Sequence, residues 1–229
     1  MSRALTMKGT RHDSRVVLPE GAPQPLRWQV EFTDDSGTTR TVGYPERLLP
    51  PGGVPAYLAA RGSGARSFVL WADQDRGERL LTLVTTSAAG GVATYQVLGP
   101  RGEVLGTFVR AKALRGRGIR THWTVTPAGG PSAVGFKGRI LWWCVWWPLM
   151  PVQALVVVAS LLSGGGDVAR GPRRVIWRAA GKSPLEFRSG GDRLLLHAPE
   201  WDWRLGAALA VLLRSYESWV GVSWDADKK

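Results

Sequence analysis

Between Arg204 and Arg214 the chain reads LGAALAVLL, apolar on every face of a helix. A helix resting on a domain surface needs only an apolar stripe. This one calls for protein around its whole girth. The run is well short of the ~20 residues required to cross a bilayer, and Asp202 stands in place to cap its first turn. The stretch WDWRLGAALAVLLRSYES is therefore read as a buried core helix over 202–216, and the rest of the chain must supply what encloses it. A helix packed on one face of a sheet is the simpler alternative.

The enclosing material reads as β-structure. LRWQVEFT alternates Trp28, Val30 and Phe32 with polar residues, the period of a half-buried strand, and DDSG turns it back into TTRTVGY. ERLLPPGGVPAYLAARGSGAR is a Pro/Gly-rich connection with a short helical turn near Tyr57, and SFVLWADQDRGERLLTLVTT is a second hairpin turning at 73–77. In GVATYQVLGPRGEVLGTFVR a third hairpin turns at 99–102. Its design recurs in THWTVTPAGGPSAVGFKGR: Tyr95-x-Val97 returns as Trp123-x-Val125, and Leu105-Gly106 as Val134-Gly135. VIWRAAGKSPLEFRSG is a looser copy. Repeated hairpins at regular spacing predict a mainly β meander, a sandwich or barrel, with the terminal helix as its filling. With 229 residues, one such domain is expected over 26–224, preceded by a disordered N-terminal arm over 1–25 that has no periodicity.

One stretch breaks the pattern. From Ile140 to Gly166, ILWWCVWWPLMPVQALVVVASLLSGGG carries no charge. It is long enough to span a bilayer, yet Pro148 and Pro151 divide it into ILWWCVWW, which reads as a strand, and PVQALVVVASLLS, which reads as a helix capped by Gly164. Two readings stand: a membrane-embedded segment, with Trp142, Trp143, Trp146, Trp147, Leu155 and Val157 as lipid contacts, or a strand in the barrel wall followed by a helical crossover outside it.

Together these features resemble the tubby-like C-terminal domain superfamily, which includes the tubby proteins, phospholipid scramblases and LURP-one-related proteins. The resemblance covers 26–222 and rests on the Y/W-x-V hairpins, the mid-chain interruption, the last hairpin LEFRSGGDRLLLHAP and the closing WDWRLGAALAVLL. It implies a closed antiparallel β-barrel of about twelve strands around a hydrophobic C-terminal helix, with a mid-chain apolar helical crossover. No D-x-[DN]-x-[DN]-G loop occurs, so calcium-triggered scrambling is not expected.

Chemistry of the catalytic kind is sparse. The chain has no nucleophile elbow, Walker loop, H-E-x-x-H pair or paired cysteines. His12, His122 and His197 have no joint ligand spacing, and Cys144 lies between Trp143 and Val145 as an inert thiol. A non-enzymatic protein without cofactor or metal is expected. The formal net charge is +12, from 30 Lys and Arg against 18 Asp and Glu, which favours polyanionic partners. Arg110, Lys112, Arg115, Arg117 and Arg120 crowd the loop RAKALRGRGIR, where glycines let backbone approach an anion. Arg170, Arg173 and Arg174 directly follow the uncharged stretch.

Apolar insertion with basic flanks is the two-signal pattern of membrane attachment. The expected role is a cytoplasmic, membrane-associated module that binds anionic membrane lipids. Two alternatives stand: a soluble barrel that binds nucleic acid through the same charge, and a single-pass membrane protein. The N-terminal residues have no apolar h-region of a secretory signal.

Overall fold

The computed structural model describes residues 3–10, 25–113, 120–136, 174–189, 191–216 and 223–226. Twelve antiparallel strands close into one ring: β1 (Arg3–Gly9), β2 (Trp28–Thr33), β3 (Thr39–Arg47), β4 (Phe68–Trp71), β5 (Arg79–Ala89), β6 (Val92–Leu98), β7 (Val104–Ala111), β8 (His122–Pro127), β9 (Ala133–Phe136), β10 (Arg174–Ala179), β11 (Lys182–Arg188) and β12 (Arg193–Leu196). Each strand bonds to its neighbours in sequence, and β1 joins β12 to close the ring, with Leu5 opposite Leu194. Among the described residues two α-helices accompany them, α1 (Gly53–Ala60) between β3 and β4, and α2 (Trp203–Tyr216).

A ring of twelve strands is wider than its own inward side chains can fill, since barrel diameter grows with strand number. α2 fills the remainder. Leu205 to Leu213 are all buried, the apolar side chains 4% exposed or less, on every face of the helix. Asp202 Oδ1 accepts the backbone N–H of Arg204 at 2.8 Å, so the expected cap is present. The helix is narrow where the wall is bulky: a Cβ on Gly206 would lie 2.8 Å from Leu5 Cδ1 and 3.0 Å from Leu196 Cδ2.

The hairpin repeat has the same steric origin. Tyr95, Val97, Trp123 and Val125 point inward and are buried. At the repeat's glycines the wall is tight against bulky inward side chains, of α2 at Gly106 and of the neighbouring strand at Gly135. A Cβ on Gly106 would stand 2.9 Å from Leu205 Cδ1, and one on Gly135 would stand 2.9 Å from the Trp177 ring and Val175. The turns follow expected chemistry as well: Asp34 Oδ1 accepts the N–H of Ser36 and Thr38, and Asp73 those of Gly77 and Glu78.

One expectation needs correction. Residues 3–9 are not part of a disordered arm; they form β1, whose Leu5 and Met7 enter the core between β12 and β2. In the ring β1 is what joins β12 to β2. β9 bonds directly to β10, with Trp177 opposite Gly135 and Arg178 opposite Val134, so the ring of described strands is closed and the 137–173 connection joins two adjacent antiparallel strands. Residues 140–166 themselves lie outside the described residues.

Candidate functional site: the C mouth

Up-and-down topology sorts the connections between two mouths, named here for the end of α2 that each holds. The N mouth carries short turns: β2–β3, β4–β5, β6–β7, β8–β9 and β10–β11. The C mouth carries the three longest connections between strands other than β1–β2, namely 48–67, 112–121 and 137–173, together with the short β5–β6 and β11–β12 turns. Antiparallel neighbours can be joined by two residues, so these lengths are not demanded by the fold.

Charge is divided the same way. Among the described residues outside the strands and α2, the N-mouth connections hold eight acids, Asp34, Asp35, Asp73, Asp75, Glu78, Glu103, Glu200 and Asp202, against Arg76 and Arg101. Those at the C mouth, with the 223–226 segment, hold five bases, Arg27, Arg61, Arg66, Lys112 and Arg120, against Asp192 and Asp225. Both acids are engaged by arginines, Asp192 by Arg214 at 3.2 Å and Asp225 by Arg61 and Arg66.

The rim around the end of α2 is built on a buried carboxylate. Asp225 is fully buried and accepts Tyr57 Oη–H at 3.0 Å and two hydrogen bonds from Arg61, from Nε at 3.1 Å and Nη2 at 2.9 Å; Arg66 Nε lies 3.3 Å away. Arg61 also donates to the Ser215 carbonyl at 3.3 Å, a cation at the negative end of the helix. Trp224 packs edge-on against Phe68 and donates to the Val211 carbonyl at 3.0 Å. Residues 223–226 thereby fasten α1 to the end of α2. Burial raises the Tyr57 and Tyr95 phenols above their ordinary range, and the Asp225 charge adds to this at Tyr57, so both remain protonated donors.

Four expected site residues are described. Arg110, half-buried at the end of β7, lies 4.1 Å from the Tyr216 ring centroid and 5.8 Å from that of Trp123, and no carboxylate among the described residues pairs with it. Lys112 is exposed, its backbone N–H tied to the Gly91 carbonyl at 2.8 Å. Arg120 lies 4.9 Å over the Phe136 ring, which couples the basic loop to the last residue of β9. Arg174 opens β10 and donates to Glu186 at 2.7 Å, so part of its charge is met within the wall. Arg115, Arg117, Arg170, Arg173, Trp142, Trp143, Trp146, Trp147, Leu155 and Val157 lie outside the described residues. The chain leaves the described wall at Phe136 and returns at Arg174, both at this mouth, so the uncharged stretch and the basic loop are tethered to one end of the barrel.

Sequence reasoning passed over the exposed apolar residues. Four large ones stand out: Leu48 at 40%, Leu49 at 43% and Phe136 at 46% at the C mouth, and Val104 at the other. Leu48 and Leu49 line a cleft of about 310 Å³ with Pro50, Tyr57, Arg66 and Val84. The signal was present as LLPP in a segment read only as a connection.

Among the described residues no group of His, Cys, Asp and Glu is arranged to hold a metal ion, and no helix is long and apolar enough to cross a membrane. The fold and site define a closed twelve-stranded barrel filled by its own helix, with a basic, apolar-edged mouth. No family model, curated protein or solved structure matches the chain.

Proposed function

We propose that this protein is a non-enzymatic, tubby-like barrel that attaches to membranes and binds anionic lipids through its C mouth. The observation that carries the reading is the connection between β9 and β10. Neighbouring antiparallel strands need no such linker, and the wall is complete without it, yet it holds an uncharged run from 140 to 166. Long connections that a fold does not require usually serve function or act as linkers. Its tether at the basic end supports a bilayer as its partner: apolar insertion and attraction to an anionic leaflet act from one face, while the acid-rich N-mouth connections are turned away from the same charge. Arg110, Lys112, Arg115, Arg117 and Arg120, with Arg170, Arg173 and Arg174, are the proposed headgroup contacts. Among the described residues the barrel interior is occupied by the buried side chains of the wall and of α2, which favours a surface site over an internal one.

Vesicle flotation tests this reading. The full chain is expected to float with phosphatidylcholine vesicles containing phosphatidylserine and to bind them less well as salt rises, because exposed charges are screened beyond ~10 Å at 0.1 M. Absence of binding to anionic vesicles at low salt refutes it. Nucleic acid binding through the same bases predicts instead a salt-sensitive complex with single- or double-stranded DNA that does not need the 140–166 stretch.

A further inference from the structure

Leu48 and Leu49 are not exposed by slack in their loop. The Leu48 N–H donates to the Ser67 carbonyl at 3.1 Å, and the Ser67 hydroxyl donates to the Leu48 carbonyl at 2.8 Å. Pro50 and Pro51 then stiffen the chain, and Tyr57 ties the following helix to buried Asp225. Two adjacent leucines are thus held out from a fixed backbone. The apolar lining of the cleft continues their surface inward.

Their position on the ring supplies the second argument. They follow β3, whereas exposed Phe136 ends β9, and in the strand order β3 and β9 stand six places apart whichever way the ring of twelve is followed. The two apolar points therefore sit on opposite sides of one mouth. Bases lie on the same rim, with Arg47 next to Leu48 and Arg120 over Phe136. Apolar contacts on opposite sides of a basic rim fit a flat, anionic, apolar-cored partner better than a convex one that would meet only one side.

From this we infer that the barrel docks mouth-first, its axis close to the bilayer normal, with Leu48–Leu49 and Phe136 as two opposed points that insert among the acyl chains of an anionic bilayer. The inference rests on the membrane reading above, but it assigns insertion to residues outside the uncharged stretch and fixes an orientation. The basic rim supplies long-range attraction, and the leucines supply the contact that salt does not screen.

The test compares wild type with the double variant Leu48→Ser, Leu49→Ser, with Phe136→Ser, and with Val104→Ser at the opposite mouth, on vesicles of phosphatidylcholine and phosphatidylserine. Each C-mouth variant is expected to lose about tenfold in affinity, with melting temperature and salt dependence unchanged, while Val104→Ser binds as wild type does. The conservative pair Leu48→Ile, Leu49→Met should retain binding. In a Cys144→Ser background, a fluorophore attached through Leu49→Cys should be quenched by nitroxide-labelled lipid, and one attached through Val104→Cys should not. Wild-type affinity in the serine variants, or equal quenching at both positions, overturns the inference and leaves the membrane reading standing. Failure of wild type to bind anionic vesicles removes both. A serine pair that abolishes self-association in solution while leaving vesicle affinity intact also overturns it, and assigns the leucines to a protein contact.

Discussion

Glu186 shows how one residue in the wall settles its surroundings. It lies between inward-facing Leu185 and Phe187 on β11, is itself 4% exposed, and is covered by Arg174 at 2.7 Å, by Arg188, and by His197 at 3.6 Å. Burial by itself would raise its carboxyl, but the hydrogen bonds and charges of Arg174 and Arg188 outweigh that and hold it down at about 2, below the ordinary 4.5. A depressed folded-state value gives stability that is complete above 4.5 and is lost as pH falls toward 2. The gap in melting temperature between wild type and Glu186→Gln should therefore be widest near neutrality and shrink through that acid window; a gap constant with pH would contradict it. Gly106 offers a second check. Valine there would meet Leu205 and the Thr126 carbonyl, and overpacking of this kind costs about 1–3 kcal/mol, measurable by urea unfolding. Replacing Leu205 with Ala as well should recover part of the loss.

At the scale of elements, α2 and the segment that fastens its end carry most of the risk. Leu209 is fully buried at the barrel axis, so Leu209→Asp places an unpaired charge in the core and should cost roughly 4 kcal/mol or more, read as loss of the cooperative thermal transition. Asp225→Ala strands Arg61 and Arg66, and breaking one side of a buried ion pair costs about 3–5 kcal/mol. A double-mutant cycle with Arg61→Ala should show strong coupling in denaturant midpoints. Of these elements α2 was legible from its all-round apolar run, as were the hairpins from Trp28 onward, because alternation and turn chemistry are local signals. β1 was not. RALTMKG offers only Leu5 and Met7 as strong inward residues, and what makes it a strand is the open seam between β12 and β2, a fact about chain ends far apart in sequence. The site was half legible for the same reason. Arg110 and Arg120 were visible as charges, but their seats on Tyr216 and Phe136, and the joining of Asp225 to Tyr57 and Arg61, depend on which loops the topology brings to one mouth.

Among the described connections between strands, acids outnumber bases at one end of the barrel and bases outnumber acids at the other. That arrangement orients a barrel before it touches a charged surface, so association with anionic vesicles should speed up as salt is lowered, by stopped-flow mixing, more than dissociation slows. A rate of association indifferent to salt would argue against steering by the rim. The placement of α2 has a different consequence, in the time the chain takes to be made. Every stave of the ring precedes the helix that it encloses, and the last seam joins Leu5 to Leu194. On the ribosome, at ~5–20 residues per second, early strands wait roughly 10–40 s with their inward faces uncovered before Tyr216 exists. The nascent chain is thus a natural client for chaperones, and its completed form should refold slowly, as proteins dominated by distant pairings do.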